Sequence, residues 1–343
     1  MDFYSAVDSD TKYESSKQEK DIYFQERYGE LYEEHEEGEV QTFEYHSDYG
    51  TVKNLFIKRK IPVNLSEKDY YDITTPYGFG GPVTFDVKNL EKLLSGYFNS
   101  FSEYCRENNI VSEFIRFHLL ENNDVMQYYY GETMLVGMNI ARNLKKPLWQ
   151  DCHKSIKRDF KKSEKNNLEV LFDTEGAYLE EFLTVYYATM NRNDATDYYY
   201  FDKAFFEKMN ENLKGNYVYA YVLLDGKVIS ASLNLYGKKY AYGFLGGTLS
   251  EYYSLTPAAY LEIQSIKWLQ EQGLEYYILG GGYEEDDGIY KFKKKFAKTG
   301  IYPFHIGKKI HNKEIYDQLV EAHHLKEQCK ETSFFPAYRL SDS

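Results

Sequence analysis

The sequence predicts an α+β fold of two similar halves, with mixed, mainly antiparallel sheets flanked by helices. Three observations predict it. Strand-length apolar runs come in consecutive groups, each followed by one long helical pattern, which suits α+β better than a doubly wound sheet. Asp225-Gly226 stands between two such runs and has the turn chemistry of a tight hairpin. The order helix, meander, long helix, strand occurs twice, with no residue-level repeat.

Residues 1–20 are polar and read as a flexible leader, with 21–150 and 151–343 expected as N-terminal and C-terminal domains. Tyr23, Tyr28 and Leu31 recur at helical spacing and predict a helix over 22–35. Val40–Tyr45 and Thr51–Ile57 predict strands around a turn with Asp48 and Gly50. Leu90–Arg106 has an amphipathic helical pattern that Asn108-Asn109 stops, and Val111–Leu119 reads as a strand. In the second half, helices are expected at 177–190 and 201–213, and strands at 217–224, 227–236 and 240–245. Thr256 is placed to cap a helix with Pro257 at its first position, where a missing N–H costs nothing, and Gly273 ends it. Further strands are expected at 275–279 and 301–306, and a closing helix at 313–329.

With 43% hydrophobic and 28% charged residues among 343, the chain has the composition of a globular protein. No apolar run is long enough for a membrane-spanning helix, and Met1–Lys20 lacks the apolar core of a signal peptide. Cys105, Cys152 and Cys329 are scattered, odd in number and without metal-type spacing. A cytoplasmic protein is expected. The net charge of −13 argues against a general nucleic-acid binder, so an anionic partner has to meet a local basic patch. The 37 tyrosines can stack on sugars or bases, but codon bias in an AT-rich genome also explains them.

Four segments carry the chemistry. Tyr70–Pro82 holds three glycines, two prolines and three tyrosines, a rigid loop whose backbone can approach a ligand. Tyr77, Gly80 and Gly81 are its candidate substrate contacts; a tight turn with packed aromatics is the other explanation. In the helix predicted over 153–165, Lys154, Lys157, Arg158, Lys161, Lys162 and Lys165 line one face, with Ile156 and Phe160 opposite. Such a run is ordinarily a solvated face. Its contrast with the acidic chain makes Lys157 and Arg158 candidate phosphate or pyrophosphate contacts. The third segment, Gly246–Pro257, leads from a strand into a helix whose first turn presents unpaired N–H groups to an anion. Ser254, Thr256, Pro257 and Ala258 are the candidates there, and Tyr253 either meets a ligand or packs in the core.

The fourth segment runs through Leu279-Gly280-Gly281-Gly282, an acidic turn over 284–287, and Gly288–Phe296. If 289–298 is helical, Ile289, Phe292 and Phe296 share one face and Lys291, Lys294, Lys295 and Lys298 the other. Lys293 fits neither set, falling about 40° from Ile289 at the edge of the apolar face. It either snorkels to solvent or is held to stabilise negative charge on a reacting group or phosphate. The acidic turn lacks calcium-loop spacing, and the histidines, His323-His324 included, lack zinc spacing, so no metal is expected. No Gly-x-Ser-x-Gly elbow or Walker loop occurs, and no nucleophile with a paired base predicts a covalent intermediate.

In order, these segments resemble the Fem-like (FemAB) family of GNAT-superfamily acyltransferases, which includes the peptidoglycan interpeptide-bridge enzymes. The resemblance rests on Tyr71-Asp-Ile-x-x-x-Tyr-Gly-x-Gly-Gly-Pro82, the basic helix, Tyr186–Met190 and Leu255-Thr256-Pro257. Above all it rests on Leu279-Gly-Gly-Gly, Asp287-Gly and Phe292-Lys293 with Phe296, and it covers roughly residues 20–310. It implies tandem GNAT-like (acyl-CoA N-acyltransferase) domains and transfer from an acyl-CoA thioester or an aminoacyl-tRNA ester to an amine. It sets the donor or acceptor near Gly280, Gly281, Gly282 and Phe292, with Lys293 steadying an oxyanion or phosphate and Tyr253 or Asp287 relaying a proton. The helix start at Ser254–Ala258 is where GNAT enzymes hold the coenzyme A pyrophosphate, although their Gln/Arg-x-x-Gly-x-Gly/Ala loop is absent. So is the heptad-patterned hairpin that serves tRNA in some relatives. The implied function is transfer to an amine of a nucleotide-linked cell-wall or polysaccharide precursor. The alternatives are an acetyl-CoA-dependent N-acetyltransferase of a small metabolite and a catalytically silent GNAT-like binding module.

Overall fold

Apolar alternation on either side of the Ser47–Gly50 turn closes an antiparallel hairpin in unbroken register from Gly38↔Arg59 to Ser47↔Gly50. That hairpin belongs to the first of two units into which the chain divides, 1–136 with 304–343 and 137–303. The computed structural model describes residues 4–5, 20–62, 68–193, 200–282, 287–322 and 334–340. The expected leader lies largely outside them, as do 284–286 of the acidic turn, His323-His324 and Cys329.

In chain order the first unit contains β1 (Tyr4–Ser5), α1 (Glu26–Gly29), β2 (Gly38–Ser47), β3 (Gly50–Lys60), β4 (Tyr71–Thr74) and β5 (Val83–Phe85). It continues with α2 (Leu90–Glu107), β6 (Ile110–Arg116) and α3 (Asn123–Gln127). Then come β7 (Glu132–Asn143), α4 (Lys154–Lys165), β8 (Glu169–Asp173), α5 (Leu179–Arg192) and α6 (Lys203–Asn212). The hairpin β9 (Tyr217–Leu224) and β10 (Lys227–Tyr236) follows, with β11 (Tyr240–Thr248), α7 (Pro257–Glu271), β12 (Tyr276–Gly280) and α8 (Gly288–Lys294). Last are β13 (Ile301–Ile310) and α9 (Lys313–Ala322).

Both units follow one plan. In the first, β2, β3 and β4 pair antiparallel and β6 returns parallel to β4. In the second, β8 to β11 pair antiparallel and β12 returns parallel to β11. A long helix lies between the strands of each parallel pair, α2 and α7 respectively. Asn89 caps α2 through the Lys92 N–H, and Leu93, Leu94, Tyr97, Phe98 and Phe101 bury its inner stripe. Ala259, Ile263, Ile266 and Leu269 do the same for α7. The fold is the mixed, mainly antiparallel α+β arrangement read from the sequence.

The division differs from the expected 21–150 and 151–343. Residues 140–143 of β7 pair with β12 in the second unit, and 306–310 of β13 pair with β6 in the first. The break therefore falls at Val136/Gly137, and 304–343 belong with the first unit. Strand β7 has no counterpart among the expected strands: residues 132–138 lack alternation, and Leu135, Val136 and Met138 are exposed. The helix expected over 22–35 is short turns broken by extended Gln25 (φ −104°, ψ 138°). Among the described residues, no helix is long and apolar enough to cross a membrane.

Candidate active site

Strand β12 ends in Gly280 at φ +77°, a left-handed conformation that a side chain would strain. A Cβ on Gly281 would lie 2.5 Å from Asn139 Oδ1, and one on Gly282 2.3 Å from Asp287 Oδ1. The triple glycine is thus required by the close approach of β7 and of the residue that starts α8. Asp287 caps α8, accepting from the Tyr290 N–H at 2.7 Å.

The short helix then turns Lys293 inward. Its Nζ donates to the Gly281 carbonyl at 2.7 Å and lies 3.4 Å from where a Gly280 Cβ would stand. The snorkelling alternative is therefore not what the chain adopts. The apolar face differs from the expected one: α8 stops at Lys294, Tyr290 and Phe296 are buried, and Ile289 is exposed. Phe292 packs edge-on against Phe296 at 5.0 Å. Burial lowers the Lys293 pKa to about 8, against the opposing pull of the Glu262 and Asp287 carboxylates.

Glu262, from the middle of α7, is a group the sequence reading missed. Its Oε1 is sealed from solvent and has no hydrogen-bond partner. Burial raises its pKa to about 7, while a Tyr277 hydrogen bond, Lys293 and Arg142 act the other way. Tyr277, on β12, donates to Asn234 Oδ1 at 2.7 Å. The fully buried Arg142 donates to the Phe296 and Leu148 carbonyls. A sequence signal existed: Glu262 falls between Ala259 and Ile266, three and four residues away on the apolar stripe of α7.

The other candidates fall elsewhere. Lys157 and Arg158 are exposed on α4; Lys157 Nζ lies 5.7 Å from the Trp149 ring and Arg158 pairs with Asp159 at 3.3 Å. The start of α4 does approach the end of α8, where the His153 N–H donates to the Lys295 carbonyl. Tyr253 and Ser254 are exposed, and the Arg192 guanidinium lies 5.3 Å from the Tyr253 ring. Thr256 does not cap α7 with its side chain. It takes φ 58°, and Oγ1 reaches Ser163 Oγ at 3.0 Å and the Asp159 carbonyl at 3.1 Å. The first-turn N–H groups beside Pro257 and Ala258 thus have no side-chain cap. Gly247 serves packing, since its Cβ would lie 2.1 Å from Thr189 Oγ1 on α5.

Tyr77, Gly80 and Gly81 belong to the first unit, and local packing accounts for them. The Tyr77 carbonyl accepts from Tyr28 Oη at 2.7 Å, and Asn122 Nδ2 donates to the Gly80 carbonyl at 2.8 Å. Gly81, at φ +88°, would bring a Cβ within 2.7 Å of Ile115. An open cleft of about 520 Å³ between α5 and α6, lined by Glu180, Lys203, Glu207 and Asn210, contains none of the candidates. Among the described residues, no three potential metal ligands come together.

Residues 150–294, which run from α4 through α8, match the acetyltransferase (GNAT) domain family. The second unit thus carries a region similar to GNAT-type acetyltransferase domains. The fold is similar to that of FemX, with a TM-score of 0.68 at 14% identity over 87% of this chain and 94% of that one. It is also similar to L-PGS from Bacillus licheniformis, with a TM-score of 0.53 at 11% identity over 86% and 95% of the two chains. A C-terminal domain assigned to a lysylphosphatidylglycerol synthetase of Agrobacterium fabrum gives 0.54 at 11% identity over 88% and 95%. No curated protein matches the sequence.

Proposed function

We propose that the chain is a cytoplasmic transferase that moves an acyl or aminoacyl group onto an amine of a cell-envelope precursor, either a peptidoglycan peptide or a polysaccharide amino sugar. One observation carries the reading: Lys293 turns inward and holds its ammonium against the Gly281 carbonyl, with Gly280 at φ +77° beside it. A cation fixed at the glycine run, and partly withdrawn from water, suits a developing oxyanion or a donor phosphate. The acceptor amine attacks the activated carbonyl directly, its nitrogen losing a proton as the donor's thiol or hydroxyl leaves with one. The name of the lysylphosphatidylglycerol synthetase, whose C-terminal domain has a similar fold, is consistent with an acceptor in the cell envelope; the donor in this reading is an acyl-CoA or an aminoacyl-tRNA.

A second reading, acetyl-CoA-dependent N-acetylation of a small metabolite, is favoured by the uncapped first turn of α7 at Ser254–Ala258, an anion site on a long helix. Thermal shifts with acetyl-CoA, UDP-MurNAc-pentapeptide and charged tRNA separate the two. A ligand at about 100 times its Kd adds about 2.7 kcal/mol. Stabilisation by acetyl-CoA alone selects the second reading, and silence toward all three selects a binding module without transfer activity. With the stabilising donor, Lys293→Ala is expected to lower turnover about 10²–10³-fold with little change in melting temperature. Full activity in that variant rules out the proposed role of Lys293.

A further inference from the structure

Each glycine of the run Gly280–Gly282 is held against a different polar group. A Cβ on Gly280 would stand 3.4 Å from Lys293 Nζ, one on Gly281 2.5 Å from Asn139 Oδ1, and one on Gly282 2.3 Å from Asp287 Oδ1. An ammonium from α8, a carboxamide from β7 and a carboxylate from the start of α8 thus converge on three consecutive residues. Two of these groups are already bonded within the protein. Lys293 Nζ donates to the Gly281 carbonyl, and Asp287 Oδ1 accepts from the Tyr290 N–H.

The carboxamide has no such bond. Among the described residues, Asn139 makes no side-chain hydrogen bond to the protein, although it is only 9% exposed. The fully buried asparagines Asn122 and Asn234 behave differently, and each uses both ends of its amide. Asn122 donates to the Gly80 and Pro82 carbonyls and accepts from the His118 N–H. Asn234 accepts from Tyr277 Oη and donates to Ser232 Oγ. An amide withdrawn from water without partners forgoes hydrogen bonds that an apolar side chain of the same shape would not miss. Such a group needs a reason to be where it is.

Its place on the strand supplies one. The ladder between β7 and β12 ends at Ile140↔Gly280, and Asn139 and Gly281 come next, just past the last pair. Neither amide atom of Asn139 is sealed from solvent, Gly281 is half-buried and Gly282 is exposed. A carboxamide has two N–H donors and one accepting oxygen. A phosphate would satisfy only its donors and an ammonium only its acceptor. An extended amide-bearing chain satisfies both, because such a chain exchanges N–H and C=O bonds together, as paired strands do.

We infer that Asn139 is a ligand-binding residue, pairing its carboxamide with an amide of the substrate laid along Gly280–Gly282 beside Lys293. The inference rests on the reading of Lys293 and the triple glycine as the site, and not on the reaction performed there. Two substrates of the proposed function carry such amides: the peptide of a cell-wall precursor and the pantetheine arm of an acyl-CoA.

Calorimetric binding of UDP-MurNAc-pentapeptide and of acetyl-CoA to the full chain, wild type against Asn139→Leu, tests this and tells the two sources apart. Leucine keeps the side-chain shape and removes the amide. It is expected to weaken binding of one probe about tenfold or more, and the probe affected names the source. Without ligand, the variant is expected to melt at the wild-type temperature or above it, since no bond within the protein is lost. A lowered melting temperature with unchanged affinities assigns Asn139 to packing and overturns the inference. So do unchanged affinities alone, and so does a wild type that binds neither probe. Should Asn139→Leu fail to fold, Asn139→Ala removes the amide without added bulk and is read by the same affinities. Turnover lost in Lys293→Ala with unchanged affinities in the Asn139 variant leaves the transfer reading standing and removes only this inference. Binding that depends on Asn139 in a chain without transfer activity does the reverse.

Discussion

Each unit buries a glutamate beside tyrosine hydroxyls, and the two are served in opposite ways. Glu113, on β6 of the first unit, accepts from Tyr130 Oη at 3.1 Å and faces His311 Nε2 at 3.4 Å. Burial and the Glu113 charge push the Tyr97 and Tyr129 hydroxyls well above the usual tyrosine range. These groups sit within the aromatic core of α2, β3 and β6. Glu262 instead has an oxygen with no hydrogen-bond partner, and burial raises its pKa to about 7. Around Glu113 the atoms without a hydrogen-bond partner are the Tyr97 and Tyr129 hydroxyls and His311 Nε2, whereas at Glu262 it is the carboxylate oxygen itself. The two units share a strand plan and differ in how each buries its glutamate.

The largest expected effect breaks the first side of that contrast. Glu113→Ala strips Tyr130 and His311 of their common partner and opens a cavity in a closed core. It is expected to cost about 3–4 kcal/mol, read as a fall in the urea midpoint, with activity per folded molecule unchanged. Lost turnover at unchanged stability would reverse the assignment of roles.

A somewhat smaller effect is expected at His118, which fastens the end of β6 to the glycine-rich loop. Its Nδ1 accepts from the Leu120 and Glu121 N–H groups at 3.1 and 2.9 Å, and its ring meets Phe79 at 5.2 Å. His118→Ala leaves two N–H groups without their acceptor and is expected to cost about 2–3 kcal/mol. Burial lowers the His118 pKa from 6.5 to about 3, so the unfolded chain binds more protons between those values. The stability that this neutral histidine contributes is full above about pH 6.5 and drains away as pH falls toward 3. The alanine variant is expected to lack that part of the acid slope, which denaturant titrations at several pH values measure.

What the sequence revealed divides along the same physical line. Asp225-Gly226, the Asn89 cap and the stripe of α2 are local signals, and they produced the elements they predict. The Lys293 offset was also local, although the face it was measured against proved to be set by Tyr290 and Phe296. The six cations of α4 were conspicuous because they are solvated, and among them Lys157 and Arg158 face water. Glu262 was overlooked because a glutamate is unremarkable in a helical pattern until β12 and α8 close over it. Long-range pairing hid β7 and the return of β13 in the same way, since nothing in 132–138 alternates.

The smallest effect gives the sharpest comparison, because two glycines share a backbone shape and differ in what lies before them. Gly226 at φ +78° turns the β9–β10 hairpin with nothing within 4 Å of its absent Cβ. Gly280 at φ +77° faces Lys293 Nζ at 3.4 Å. Alanine at either position incurs the left-handed strain, about 1 kcal/mol, so the two variants are expected to lose similar stability. Only at Gly280 does the new methyl meet an ammonium and take the place of a ligand atom or water beside it. Gly280→Ala is therefore expected to lower turnover several-fold, with Gly226→Ala unchanged. Equal turnover in the two variants would mean that the glycine run serves only the chain's geometry.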